Sequence, residues 1–145
     1  MMESDVRWEQ RFNNFLRAVG KLESVVLHKS LEQLSELERE GLIQRFRYTF
    51  ELAWKTLQDF LKYKGYLDIV GPNPTLEQAF QDGYLENGPQ WKLMKKSRDL
   101  SFHTYNEETA EDIAQDIFEF YYSLFKSLAT RLEQERNGRQ FNLFD

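Results

Sequence analysis

The chain contains no cysteine, three prolines and seven glycines among its 145 residues. Without cysteine there is no disulfide scaffold, no thiolate metal site and no thiol nucleophile. The few prolines and glycines cluster between long periodic stretches, which disfavours an architecture of many short strands. Long apolar runs are missing too. The longest fully aliphatic stretch is Val25-Val26-Leu27, far short of the roughly 20 residues that span a bilayer. The first five residues are acidic and lack an apolar segment, so no secretory leader and no membrane partner are expected, and the cytoplasm is the expected location. Positive charge is in deficit, with 19 Lys and Arg against 24 Asp and Glu, a net charge of −5. That balance argues against DNA as a partner and leaves room for a small local phosphate site.

What the chain has in quantity is aromatic side chains, with 12 Phe, 7 Tyr and 3 Trp. Such a surplus implies either a heavily aromatic core or an apolar face reserved for a partner. Hydrophobic residues at 41% and charged residues at 30% mark a globular chain, long enough for one domain with one core.

Helical periodicity dominates. Trp8, Phe12, Phe15-Leu16, Val19, Leu22 and Val26 recur at steps of three and four, with Ser4 or Asp5 as candidate caps. A polar stretch around His28 to Glu40 predicts a turn or a short extra helix. A second long helix is predicted from Leu42 through Phe46, Phe50, Ala53-Trp54 and Leu57 to Phe60-Leu61, stopped by Gly65. After the loop from Tyr66 to Pro74, Thr75 and Gln78 form a candidate capping box for a short helix ending at Gly83. Asn87-Gly88-Pro89 introduces another short helix carrying Trp91 and Met94. Asn106 is the expected N-cap of the last long helix, whose predicted stripe is Ala110, Ile113, Ile117, Phe120-Tyr121, Leu124, Leu128 and Leu132. The pattern predicts an all-α up-and-down helical bundle of three long helices and two short ones. It occupies residues 1–136 as a single domain, with 137–145 as a C-terminal tail.

Chemistry is most concentrated near Lys92 to Tyr105. Lys92, Lys95, Lys96 and Arg98 face one acid, Asp99, whereas Asn106 to Phe125 holds six acids and no base. A positive island in an acidic chain is where phosphate is attracted, so the lysines are candidate phosphate or RNA contacts. Inside the island runs Arg98-Asp99-Leu100-Ser101-Phe102-His103-Thr104-Tyr105. Arginine can hold phosphate oxygens and stabilise developing charge. Histidine can take a proton from a ribose 2′-hydroxyl or return one to a leaving oxygen. Residues five apart on a continuous helix point about 140° apart, so Arg98 and His103 are expected to face one phosphate only if the helix ends between them. One histidine per chain supplies either an acid or a base; a two-fold dimer would supply both. In the competing arrangement Arg98 simply pairs with Asp99 or Glu107, while His103 and Tyr105 cap and pack. No cluster of ligand-type side chains asks for a metal or other cofactor. A nucleotidyltransferase signature is likewise missing, so the chain is not itself expected to transfer nucleotides.

Arg98 to Tyr105, running into Asn106-Glu107-Glu108-Thr109-Ala110, together with Arg45-Phe46-Arg47-Tyr48-Thr49-Phe50-Glu51-Leu52-Ala53-Trp54-Lys55, resembles the HEPN superfamily. The closer likeness is to the small proteins named nucleotidyltransferase substrate-binding proteins. The resemblance implies a homodimeric helical bundle encoded beside a minimal nucleotidyltransferase and similar to the helical domain of aminoglycoside nucleotidyltransferases. In related toxin–antitoxin pairs the HEPN member is a metal-independent ribonuclease with an Arg-x4-His-x-Tyr motif. The nucleotidyltransferase neutralises it by adding AMP to the motif tyrosine. Carried over, Arg98 and His103 become the catalytic pair and Tyr105 the AMP acceptor. The same resemblance allows a non-catalytic subunit that presents a substrate or nucleotide to its partner. A dimeric scaffold with no chemistry is the blandest alternative.

Overall fold

Ser35 decides where the longest helix begins. Its hydroxyl accepts from the Glu38 amide at 3.1 Å, and the Glu38 carboxylate accepts from the Ser35 amide at 2.8 Å. This reciprocal box satisfies two otherwise orphaned donors, and it starts the helix a turn and a half before Leu42, where apolar periodicity alone would have begun it. The computed structural model describes residues 2–103 and 106–142, and leaves the side chains of 2–5, 103 and 139–142 undescribed. In order, the elements are α1 (Met2–Val26), a 3₁₀ turn (Leu31–Gln33), α2 (Glu36–Tyr63), α3 (Pro72–Gln81), α4 (Gly88–His103), α5 (Glu107–Asp116), a π turn (Ile117–Tyr121) and α6 (Tyr122–Asn142). The fold is the all-α bundle expected, with no strand among the described residues. Trp8 near one end of α1 packs edge-on to Phe60 near the other end of α2, so the two run antiparallel. Tyr122 and Arg136 of α6 bond Glu23 and Asn13 of α1, so α6 is antiparallel to α1 as well.

The helix ends follow local chemistry. Gly65 and Gly83 adopt φ of 113° and 85°, where a side chain would be strained. Each sits at C′ of a two-bond helix stop: Tyr66 N bonds Leu61 O and Gly65 N bonds Lys62 O, with the same pattern from Tyr84 and Gly83 to Ala79 and Phe80. Asn106 caps α5 as expected, accepting from the Glu108 amide at 2.9 Å. Two further starts differ from expectation. α1 is already helical at Met2, so Ser4 and Asp5 lie within it. α3 begins at Pro72 behind Gly71, because proline is pre-organised for the first helical turn. Thr75 is therefore buried inside α3, and it does not form the predicted box with Gln78.

The aromatic surplus goes inward. Trp8, Phe12, Phe15, Phe46, Phe50, Phe60, Trp91 and Phe125 are all at least 98% buried. Phe125 lies at their centre, with ring centroids 6.1, 6.1 and 5.9 Å from Phe15, Phe46 and Trp91. The last long helix is not uniform. At the π turn the Tyr122 amide bonds Ile117 O, five residues back, and the extra residue shifts the phase of the helix. Tyr121 and Tyr122 both turn inward, and Phe120, expected in the core, is 43% exposed. No helix among the described residues is long and apolar enough to cross a membrane.

This phase makes a paired prediction. Phe125→Ala should lower stability by about 3–5 kcal/mol, whereas Phe120→Ala should change it by less than about 0.5 kcal/mol. Urea denaturation of the two variants checks it; equal losses would contradict the π turn.

Candidate functional site

α4 brings the basic island against α2, and Arg98 is where they lock. Its side chain is 18% exposed. Nη2 donates to Glu51 Oε2 at 2.7 Å, and Nη1 to Asp99 Oδ1 at 2.8 Å. The rings of Phe50 and Phe102 each lie 5.5 Å from the guanidinium carbon. Two carboxylates and two aromatic rings thus fix both the position and the plane of the group.

The carboxylates are themselves paired outward. Lys95 Nζ lies 2.8 Å from the second oxygen of Asp99, and Lys55 Nζ lies 3.7 Å from the second oxygen of Glu51. The result is a ladder of alternating charge, Lys55–Glu51–Arg98–Asp99–Lys95, with one net positive charge. Burial pushes the Glu51 carboxyl up, but hydrogen bonding led by Arg98, with the charges of Arg98 and Lys55, outweighs it and holds the acid below its usual range. Asp99 follows the same logic: burial raises it, and Lys95 and Arg98 together bring it lower than normal. Arg98 is discharged less readily than usual because Asp99 and Glu51 overcome its own burial.

Beyond Arg98, the end of α4 is held by a second arginine. Arg47 Nη1 donates to the Ser101 carbonyl at 2.9 Å and its guanidinium covers Phe102 at 4.9 Å. Ser101 Oγ bonds back to Arg98 O at 2.6 Å. Supplying a donor to a terminal carbonyl lets the helix continue, and α4 runs through His103. The helix end between Arg98 and His103 that would let both face one phosphate is therefore absent, and the two positions diverge by about 140° around one axis. The orientation of the His103 imidazole and the placement of Tyr105 lie outside the described residues.

The lysines divide. Lys92 and Lys95 line one cavity of about 670 Å³ between α3 and α4, and Lys95 also belongs to the ladder. Lys96 is exposed and lines neither this cavity nor the ladder. Of the pairings expected for Arg98, Asp99 forms; the other carboxylate is Glu51, not Glu107. Glu51, Arg47 and Phe102 are the residues that sequence reasoning passed over. The spacing of Arg47, Glu51 and Lys55 reads as helix-surface pairing, and the signal that could have singled out Glu51 is its place beside the buried Phe50.

The ladder makes stability depend on acid. Both carboxylates are held below their ordinary values, so their contribution is present above about pH 4 and is lost as pH falls through the lowered values. The doubly substituted Glu51→Gln, Asp99→Asn chain should lose less stability between neutral pH and about pH 3 than the wild type does. Urea midpoints measured across that range check this.

Comparison with known proteins places this geometry. The family described as nucleotidyltransferase substrate binding protein like matches residues 10–134. A curated protein of Haemophilus influenzae named probable ribonuclease HepT is 26% identical over 106 residues, 70% of each chain. A Thermus thermophilus protein of known crystal structure superposes with a TM-score of 0.72 at 32% identity, covering 81% of this chain and 98% of that one. With its family match spanning α1 to α6 and a helical bundle to go with it, the chain belongs to the HEPN-type nucleotidyltransferase substrate-binding protein family.

Proposed function

We propose that this protein is a metal-independent endoribonuclease that works with a minimal nucleotidyltransferase as its partner and regulator. The observation that carries the reading is the fixed guanidinium of Arg98, set in a locally positive ladder five residues before a histidine at a helix end. Each terminal nitrogen of Arg98 gives one N–H to a carboxylate and keeps another for a phosphate oxygen. A group held on four sides needs no reorganisation as charge builds on the phosphate. The name of the Haemophilus influenzae relative supports the same activity.

In this reading the ribose 2′-oxygen attacks the adjacent phosphorus and the 5′-oxygen leaves. His103 takes the 2′ proton or supplies the proton to the leaving oxygen, and Arg98 holds the non-bridging oxygens. The 140° divergence along α4 argues for a site completed by a second copy of the chain, with two imidazoles across one cleft. AMP added to Tyr105 would bring bulk and negative charge to that cleft and exclude RNA phosphate.

Purified protein should cut RNA in EDTA, and Arg98→Ala or His103→Ala should each slow cutting by at least about a hundredfold. AMP-free wild-type protein that binds RNA and never cleaves it overturns the reading. Intact mass after co-expression with the nucleotidyltransferase should show one added AMP, lost in Tyr105→Phe.

A second reading, a non-catalytic subunit presenting a small molecule to the nucleotidyltransferase, is favoured by the family description and by the α3–α4 cavity with its two lysines. Calorimetry on the two-protein complex decides it: uptake of a nucleotide or aminoglycoside supports this role, and no uptake removes it.

A further inference from the structure

The cavity between α3 and α4 has a composition that the ladder does not explain. Its floor is apolar, built from Leu76, Leu85 and Trp91, and the Phe80 ring stands at its edge 46% exposed. A large aromatic ring left open to water beside an apolar floor is a stacking surface. The ring also lies close against the backbone at Gly88. A Cβ placed on Gly88 would lie 3.0 Å from Phe80 Cδ1 and 3.1 Å from Cε1. Gly88 is not among the positive-φ glycines, so a side chain there is opposed by the Phe80 ring rather than by backbone conformation, and the ring would have to give by a few tenths of an ångström to admit one.

The rim is polar and two-sided. Glu77 and Gln81 of α3 line one part, and Lys92 and Lys95 of α4 line another. At about 670 Å³ the space is within the usual range for a small-molecule or nucleotide site. It is also continuous with the ladder. Lys95 lines the cavity and contacts Asp99, which contacts Arg98. A single carboxylate therefore separates the cavity rim from the guanidinium.

We propose that this groove is a base-binding subsite for single-stranded RNA. One unstacked base lies on Phe80 above the apolar floor, its phosphate faces Lys92 and Lys95, and the strand continues to Arg98. The inference rests on the ribonuclease reading for its role, though the groove's binding is separately measurable. Single-stranded RNA suits the site because splayed bases stack on aromatic rings and show their edges to side chains. Glu77 adds selectivity. Its carboxylate accepts from an exocyclic amino group, which cytosine, adenine and guanine carry and uracil lacks. A partner helix would fit the apolar floor but leaves the paired lysines and their link to Arg98 without a purpose.

The test uses the full chain and fluorescently labelled 2′-O-methyl oligonucleotides of cytidine or uridine, which cannot be cut by 2′-oxygen attack. Phe80→Ala should weaken oligocytidine binding about tenfold. Phe80→Leu, which keeps apolar bulk but loses the π face, should weaken it nearly as much. Gly88→Ala should also reduce affinity by displacing the ring, and Glu77→Gln should erase the preference for oligocytidine over oligouridine. Lys92→Ala should lessen the salt dependence by about one counterion. Unchanged affinity in Phe80→Ala and unchanged preference in Glu77→Gln overturn the proposal, as does wild-type protein that binds neither oligonucleotide. Loss of nucleotidyltransferase binding in Phe80→Ala with RNA affinity intact overturns it too and reassigns the groove to a protein partner. Phe80-dependent RNA binding by a wild type that cuts no natural RNA supports the subsite and overturns only the ribonuclease reading.

Discussion

A charged guanidinium that is less than one-fifth exposed is stable only if its charge is answered nearby, and much of the candidate site follows from how Arg98 meets that requirement. It draws one carboxylate from its own helix and one from α2, which makes the contact between the two helices specific in register. The lysines that flank the carboxylates, and the rings of Phe50 and Phe102, then leave the group no freedom to rotate away. The same arrangement leaves net positive charge at a surface-facing point of an acidic protein. Rigidity and charge thus share one origin.

The aromatic core is the frame on which this rests. α2 supplies Phe46 and Phe50 to the interior and Glu51 to the ladder, so adjacent positions on one helix serve packing and chemistry. The π turn performs a related task. It places Tyr121 where its ring stacks on Phe46 at 5.3 Å and its hydroxyl meets Ser97, one residue before Arg98, at 2.7 Å. A regular helix in this stretch would turn the following residues out of phase with the core, and π turns are frequent at functional sites. α4 is consequently pinned at Ser97 by a tyrosine of the π turn and at Arg98 by an ion pair to α2.

Charge is also sorted along the chain. α4 holds the basic island, and α5 opens on Glu107 and Glu108, which complement the positive end of the helix. Lys95 is the residue shared by the two positive features of α4, the α3–α4 groove and the ladder. A polyanion lying along α4 would meet both in succession, whereas the acidic start of α5 would repel it from the other direction.

Local pattern in the sequence determined a good deal: the all-α class, the helix stops at Gly65 and Gly83, the cap at Asn106 and the inward course of most aromatics. These are decided within a few residues, by helical period and by backbone groups seeking nearby partners. It was least reliable at helix starts, where the Ser35–Glu38 box and Pro72 outweighed the apolar pattern. Only the tertiary structure decided that Glu51, 47 residues before Arg98, is its partner, that Arg47 holds the end of α4 together, and that one extra residue at Ile117–Tyr121 rotates Phe120 out and Tyr122 in. Each of these depends on which helices come to lie side by side, and no spacing along a single helix carries that information.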